Sequence, residues 1–287
     1  MICVHNHRAM ATLFQVRLAG EEPEYAAQAA RTAFDEADRL EKLLSRFREN
    51  SEISAIAQLK PGETLRLSEP TVACLALARE MEQATEGAFS VTAGARRTQA
   101  ESPRWSLDRQ KFLIKCESGK LEFDLGAIGK GFALDRMALE LAEWGCPAFL
   151  LIAGGSSILA GDPPPGTPGW SVGLGDDNSE PRHWLKHGSL SGSGIAVQGR
   201  HIFDPRTGEP AQLRERAWAA APTAAVTDAL STALMVLDDS DTARLMCGRH
   251  EWQAFVQEQG RWRQLGGGEI LLPDSTSSKD GRRDSLQ

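Results

Sequence analysis

Phe123-Asp124-Leu125-Gly126-Ala127-Ile128-Gly129-Lys130-Gly131 constrains this chain more than any other segment. Lys120 to Asp124 reads as a short strand ending in a carboxylate, paired in a hairpin with Phe112 to Cys116 across Glu117-Ser118-Gly119. Three glycines and a lysine then lead into a helix, Lys130 to Trp144, stopped by Gly145. Such a junction leaves backbone N–H groups free at a helix start, where the macrodipole also favours negative charge. Lys130 adds a cation. The combination suits a phosphate, and Asp124 suits a metal or a second part of the same ligand. The spacing is neither a Walker A loop nor a Rossmann fingerprint. A second reading therefore stands: a tight turn of small residues with Lys130 in solvent.

The rest of the chain predicts α+β organisation. Thr12 to Leu18 alternates as a strand, and Pro23 opens a long helix to about Leu44 with Ala33, Ala37, Leu40 and Leu44 at helical spacing. Asn50-Ser51 caps a short helix through Gln58, Lys60 to Glu63 turns, and Ser68 caps a helix running to about Thr85. Ala148 to Ala153 is a buried strand bounded by Gly154-Gly155. Strands follow at Trp170 to Leu174, Trp184 to Leu190 and Trp252 to Gln257, with an apolar helix from Thr227 to Leu237. Helices and paired strands do not alternate as regular βαβ units, which favours α+β over a doubly wound sheet. Residues 1–273 read as one domain and 274–287 as a polar, disordered tail.

Composition narrows the function classes. A net charge of −7 argues against a nucleic-acid-binding surface. The five cysteines are scattered, without a C-x-x-C pair, and read as reduced thiols. No apolar run is long enough for a transmembrane segment. Met1 to Arg8 lacks a signal-peptide h-region, so the chain as written is expected in the cytoplasm, or in the periplasm if translation starts upstream.

Four further segments carry chemistry. Asp228 and Thr232, at i and i+4, place a carboxylate and a hydroxyl on one helix side, an all-oxygen pair suited to magnesium. Asp228 as a first-turn dipole partner with Thr232 packed inward is the plainer alternative. His201 precedes the turn Phe203-Asp204-Pro205-Arg206-Thr207-Gly208 and is placed to accept a proton, or is a surface histidine at a strand end. Gly87 to Thr92 is a loop into a short strand, and Ala153 to Ser157 puts glycines where a strand meets a ligand or another backbone.

Taken in order, these segments resemble the FAD:protein FMN transferases, the ApbE family. The series is Ala-Met-Ala-Thr, Leu44-Ser45-Arg46-Phe47 with Asn50 to Ser54, Gly-Ala-Phe-Ser-Val-Thr, Asp-Leu-Gly-Ala-Ile-Gly-Lys-Gly, Ala-Gly-Gly-Ser-Ser, His-Ile-Phe-Asp-Pro-Arg-Thr-Gly and Thr-Asp-Ala-Leu-Ser-Thr-Ala-Leu, spanning about Met10 to Leu237. The resemblance implies an enzyme that binds FAD and magnesium, moves FMN onto a threonine of an acceptor protein carrying a Ser-Gly-x-Thr-like motif, and releases AMP. By position it implies flavin-nucleotide contacts at Met10, Phe47, Ala88, Phe89, Ser90, Asp124, Lys130 and Phe203. It places metal contacts at the Ala127 carbonyl, Asp228 and Thr232, with Ser231 as a weaker ligand where some members have aspartate. His201 is the base candidate.

The chain departs from the family at three points. Ser90 stands where aspartate is usual, the loop from Gly94 to Lys111 is short, and no export signal is evident. Two alternatives use the same residues: hydrolysis of FAD to FMN and AMP, and FAD binding without catalysis.

Overall fold

The structure is a computed structural model that describes residues 1–94, 102–174, 182–194 and 202–266 and the backbone of 271–273. Its elements are β1 (Ile2–Ala9), β2 (Thr12–Ala19), α1 (Pro23–Leu44), α2 (Glu52–Ile56), β3 (Thr64–Arg66), α3 (Glu69–Ala84), β4 (Arg104–Asp108), β5 (Leu113–Ser118), α4 (Gly129–Glu143), β6 (Phe149–Ala153) and β7 (Ser157–Ala160). They continue with β8 (Trp170–Gly173), β9 (Arg182–Leu185), β10 (Gly188–Gly194), β11 (Arg216–Ala221), α5 (Ala224–Leu234), α6 (Asp239–Met246), β12 (Gln253–Glu258), β13 (Arg261–Leu265) and β14 (Leu271–Pro273).

An eight-stranded sheet in the order β1-β2-β6-β7-β10-β11-β12-β13 forms the centre, with every neighbouring pair antiparallel. Helices α1, α4 and α5 cover one face, and the sheet β14-β9-β8 covers the middle of the other. A three-stranded sheet, β3-β5-β4, adds Trp105, Ile114 and Cys116 to the core that the helices share. The expected α+β class is what forms.

Registration explains how close the helices come. Phe14, Ala153, Ser157, Ser191, Ala219 and Ala254 face one another across six strands. All six are fully buried, and five are small, so α4 and α5 lie close on the sheet. The opposite face carries the larger residues Leu190, Trp218 and Phe255 against Trp170 and Leu185.

The expected bounds of α1 match, and Pro23 is its first residue while the Glu22 side chain caps it. Ser51 caps α2 through the Ser54 N–H at 3.0 Å. Ser68 does not cap α3 with its side chain; its Oγ donates to Glu52 Oε2 instead, tying α3 to α2.

Two further expectations are corrected, and one strand is added. Lys120 to Asp124 is not a strand, and β5 pairs with β3 and β4 rather than with residues 120–124. The 120–124 segment is instead held by single contacts such as Asp124 N–H to Val91 C=O at 2.8 Å. Trp184 to Leu190 divides into β9 and β10, because His187 turns the chain at φ 48°. Finally, Ile2–Ala9 is a strand that periodicity does not announce. Its inward positions include His5 and His7, and His7 is held there by stacking on Phe34 at 5.1 Å and bonding Asp38 at 2.8 Å. The β1–β2 turn sets Met10 and Ala11 at φ 48° and 56°, the left-handed pair that a two-residue hairpin needs. The expected tail, 274–287, lies outside the described residues.

Candidate active site

Helix α4 begins without a side-chain cap of its own. Its first turn is satisfied from another helix: Gly131 N–H donates to Asp228 Oδ2 of α5 at 2.7 Å. A glycine is required there, because a Cβ on residue 131 would stand 2.1 Å from the Ala224 carbonyl oxygen. The relation is reciprocal. Asp135 of α4 accepts from Ala224 N–H at 2.7 Å and Ala225 N–H at 2.9 Å, the first N–H groups of α5. Two positive helix ends thus meet, each capped by an aspartate from the other helix.

Asp228 is 4% exposed. Besides Gly131, it accepts from Ser157 Oγ of β7 at 2.6 Å, and Lys130 Nζ lies 3.6 Å from its Oδ2. Lys130 also donates to the Gly126 carbonyl at 3.3 Å, closing the glycine turn against α5. Ala127 is half-buried in that turn. Ser231 Oγ and Thr232 Oγ1 donate to the Asp228 carbonyl at 3.0 and 3.2 Å, and Ser193 Oγ of β10 lies 3.1 and 3.3 Å from them. Burial pushes the Asp135 carboxyl up to about 7 against the pull of the two amides, and the nearby Asp228 charge pushes the same way.

The other described residues of the expected site lie on loops and turns. Asp124 is half-exposed; its Oδ1 accepts from Gly126 N–H at 2.9 Å and its Oδ2 lies 3.2 Å from Arg46 Nη1. Phe47 is 81% exposed, with the Arg46 guanidinium 4.7 Å over its ring. Arg46, Ser54, Gly94, Lys120, Phe123 and Asp124 line a cleft of about 420 Å³, of small-molecule size. Ala88 and Phe89 are buried, whereas Ser90 is half-buried and bonded to Thr92 at 3.0 Å. Phe203 is half-buried on the loop that bridges to Pro210. Arg206 of that loop grips Asp204 and approaches Gly87, which brings the loop beside the 88–92 segment. Met10 sits in the β1–β2 turn at the sheet end that also carries Gly154, whose N–H bonds Leu13 C=O at 2.8 Å. His201 lies outside the described residues.

The glycine turn and the Thr227 to Leu237 segment, about a hundred residues apart, therefore do face each other. Sequence reasoning misses Asp135 and Ser193, and singles out Ala153 to Ser157 without assigning Ser157 a partner. Asp135 stands one turn beyond Gly131 on an ordinary amphipathic helix, and the serines belong to short strands without a recognisable period.

Comparison with known proteins places this arrangement. The model of the ApbE family matches residues 10–256. An FAD:protein FMN transferase of Klebsiella pneumoniae (strain 342) is 24% identical, covering 88% of this chain and 81% of the relative. The FAD:protein FMN transferase of Escherichia coli (strain K12) is 21% identical, covering 82% and 78%. The flavin transferase ApbE of Vibrio cholerae superposes with a TM-score of 0.77 at 18% identity, covering 93% of this chain and 97% of that one. The ApbE protein of Thermotoga maritima gives 0.77 at 22% identity, covering 92% and 97%. The family model spans most of the chain and includes both the glycine turn and the Asp228 helix: the chain belongs to the ApbE family.

Proposed function

We propose that this protein is an FAD:protein FMN transferase, moving FMN from FAD to a threonine hydroxyl of an acceptor protein and releasing AMP. The observation that carries the reading is the buried Asp228 carboxylate set between the α4 N-terminus and Lys130. Family membership and relatives of that name support it.

The oxygens around Asp228 fit magnesium. Each Asp228 oxygen uses one acceptor position, on Ser157 or Gly131, and keeps another. One carboxylate with hydroxyls and a nearby backbone carbonyl is a hard donor set, the kind magnesium uses when substrate phosphates complete its shell. Asp228, Thr232 and the Ala127 carbonyl would hold the ion, with Ser231 a weaker neighbour. Bound there, magnesium neutralises pyrophosphate charge and polarises phosphorus.

The chain's own groups do the remaining work. Lys130 draws the pyrophosphate to the glycine turn. Asp124, Phe47, Met10, Phe203 and the Ala88-Phe89-Ser90 segment contact the flavin nucleotide. The acceptor threonine oxygen forms a bond to the FMN phosphorus, and the phosphorus–oxygen bond to AMP breaks. His201 takes the threonine proton, a role that typically contributes about 10²–10⁴-fold. Holding the two reactants in line adds to that.

Incubation of the full chain with FAD, magnesium and a peptide carrying a Ser-Gly-x-Thr-like motif tests the reading. The expected result is a peptide heavier by one FMN unit with stoichiometric AMP. AMP released at the same rate without peptide would instead establish hydrolysis, and FAD binding with no AMP would establish a binding protein.

A further inference from the structure

We propose that Ser193 belongs to the nucleotide site, its hydroxyl joining those of Ser231 and Thr232 to contact the magnesium–pyrophosphate group. This rests on the FAD reading above and assigns it a residue from a strand, β10, that none of the expected contacts includes.

The row of hydroxyls along β10 is closed off at its inner end and accessible at its outer end. Ser189, Ser191 and Ser193 alternate along the strand and so share the face that carries α5. The inner two are fully buried and balanced. Ser189 Oγ donates to the Ile158 carbonyl at 2.7 Å, Ser191 Oγ lies 2.8 Å from Thr227 Oγ1, and Thr227 donates to the Ala224 carbonyl at 2.9 Å. Every hydroxyl proton there has an acceptor.

The outer group has the same proton balance but lies open. Ser231 and Thr232 both commit their single protons to the Asp228 carbonyl. Ser193 faces both oxygens, at 3.1 and 3.3 Å, with one proton to share. Three hydroxyl oxygens converge by the Asp228 carbonyl, with lone pairs left for a ligand. Open hydroxyl oxygens of this kind suit a hard cation or donors from a ligand. It is also the accessible end of the row: Ser193 and Thr232 are half-buried, whereas Ser189, Ser191 and Thr227 are closed off.

Ser193→Ala and Ser191→Ala in the full chain separate function from structure. FAD binding is followed by flavin fluorescence across a magnesium titration, and stability by urea unfolding. Ser193→Ala is expected to raise the magnesium concentration for half-maximal FAD binding about 10-fold or more, with the urea midpoint unchanged. Ser191→Ala is expected to lower the urea midpoint and leave the magnesium requirement of the folded protein as it was. Wild-type FAD binding with an identical titration for Ser193→Ala overturns the assignment and leaves the FAD reading standing. A wild-type chain that binds no FAD at any magnesium concentration overturns both.

Discussion

Asp135 and Asp228 cap each other's helices. Asp135, on α4, takes the first two N–H groups of α5; Asp228, on α5, takes the Gly131 N–H of α4. Neither helix start is complete without the other, so the glycine turn and the Asp228 oxygens are held as one unit. Packing two positive helix ends together is unfavourable alone, and the crossed aspartates offset it by accepting from their N–H groups.

Gly131→Ala breaks this unit sterically. A Cβ 2.1 Å from the Ala224 oxygen and 2.7 Å from the Ala225 nitrogen meets backbone, which cannot rotate away. The helices must separate and the Asp228 bond is lost. The expected cost is about 2–3 kcal/mol in urea unfolding, with FAD binding abolished. A variant as stable as wild type would show that the helices have room to part.

Asp135 makes stability pH-dependent. Its folded carboxyl is raised from 3.8 to about 7 by burial, with the Ala225 and Ala224 amides opposing and Asp228 reinforcing. The folded state therefore holds a proton that the unfolded state releases across that window. A raised value contributes stability that is full below the ordinary carboxylate range and is lost as pH rises through 7. Urea unfolding at pH 5 and pH 8 should show the chain more stable at pH 5 from this group. Asp135→Asn should reduce the difference while costing about 1 kcal/mol at pH 5 for an imperfectly paired amide. An unchanged pH difference in the variant would assign the slope to other groups.

Asp228→Asn keeps the volume and removes the charge. Its amide nitrogen would face a donor, either the Gly131 N–H or Ser157 Oγ. FMN transfer should fall at least about 10²-fold, the scale set by removing one preorganised electrostatic group. Magnesium should no longer sharpen FAD binding. Fluorescence titration with and without magnesium measures it.

His201→Ala tests the base separately from binding. Transfer should fall about 10²–10⁴-fold, with FAD affinity and the urea midpoint unchanged. A parallel loss of FAD affinity would make His201 a nucleotide contact instead.

Legibility in the sequence differs by segment. The Pro23 to Leu44 helix is readable because proline, apolar spacing and length all agree locally. The Asp228 and Thr232 pair is readable because i and i+4 share a helix side. The Lys120 to Asp124 segment misleads, because apolar alternation says a segment is half-buried without saying which strand, if any, pairs with it. The first strand escapes notice because histidines hold inward positions, His7 through its partners Phe34 and Asp38 on α1.

The sequence by itself determined the chemistry available: a glycine turn with Lys130, a carboxylate and hydroxyls on one helix face, and an order of motifs that places the chain in its family. These are local properties, set by spacing along the backbone. Only the tertiary structure decided that Asp135 caps α5, that Ser157 and Ser193 reach the Asp228 helix, and that residue 131 must be glycine. Each of those depends on the distance between two segments far apart in the chain. That distance is fixed by strand registration and the small residues beneath α4 and α5, which no single segment encodes.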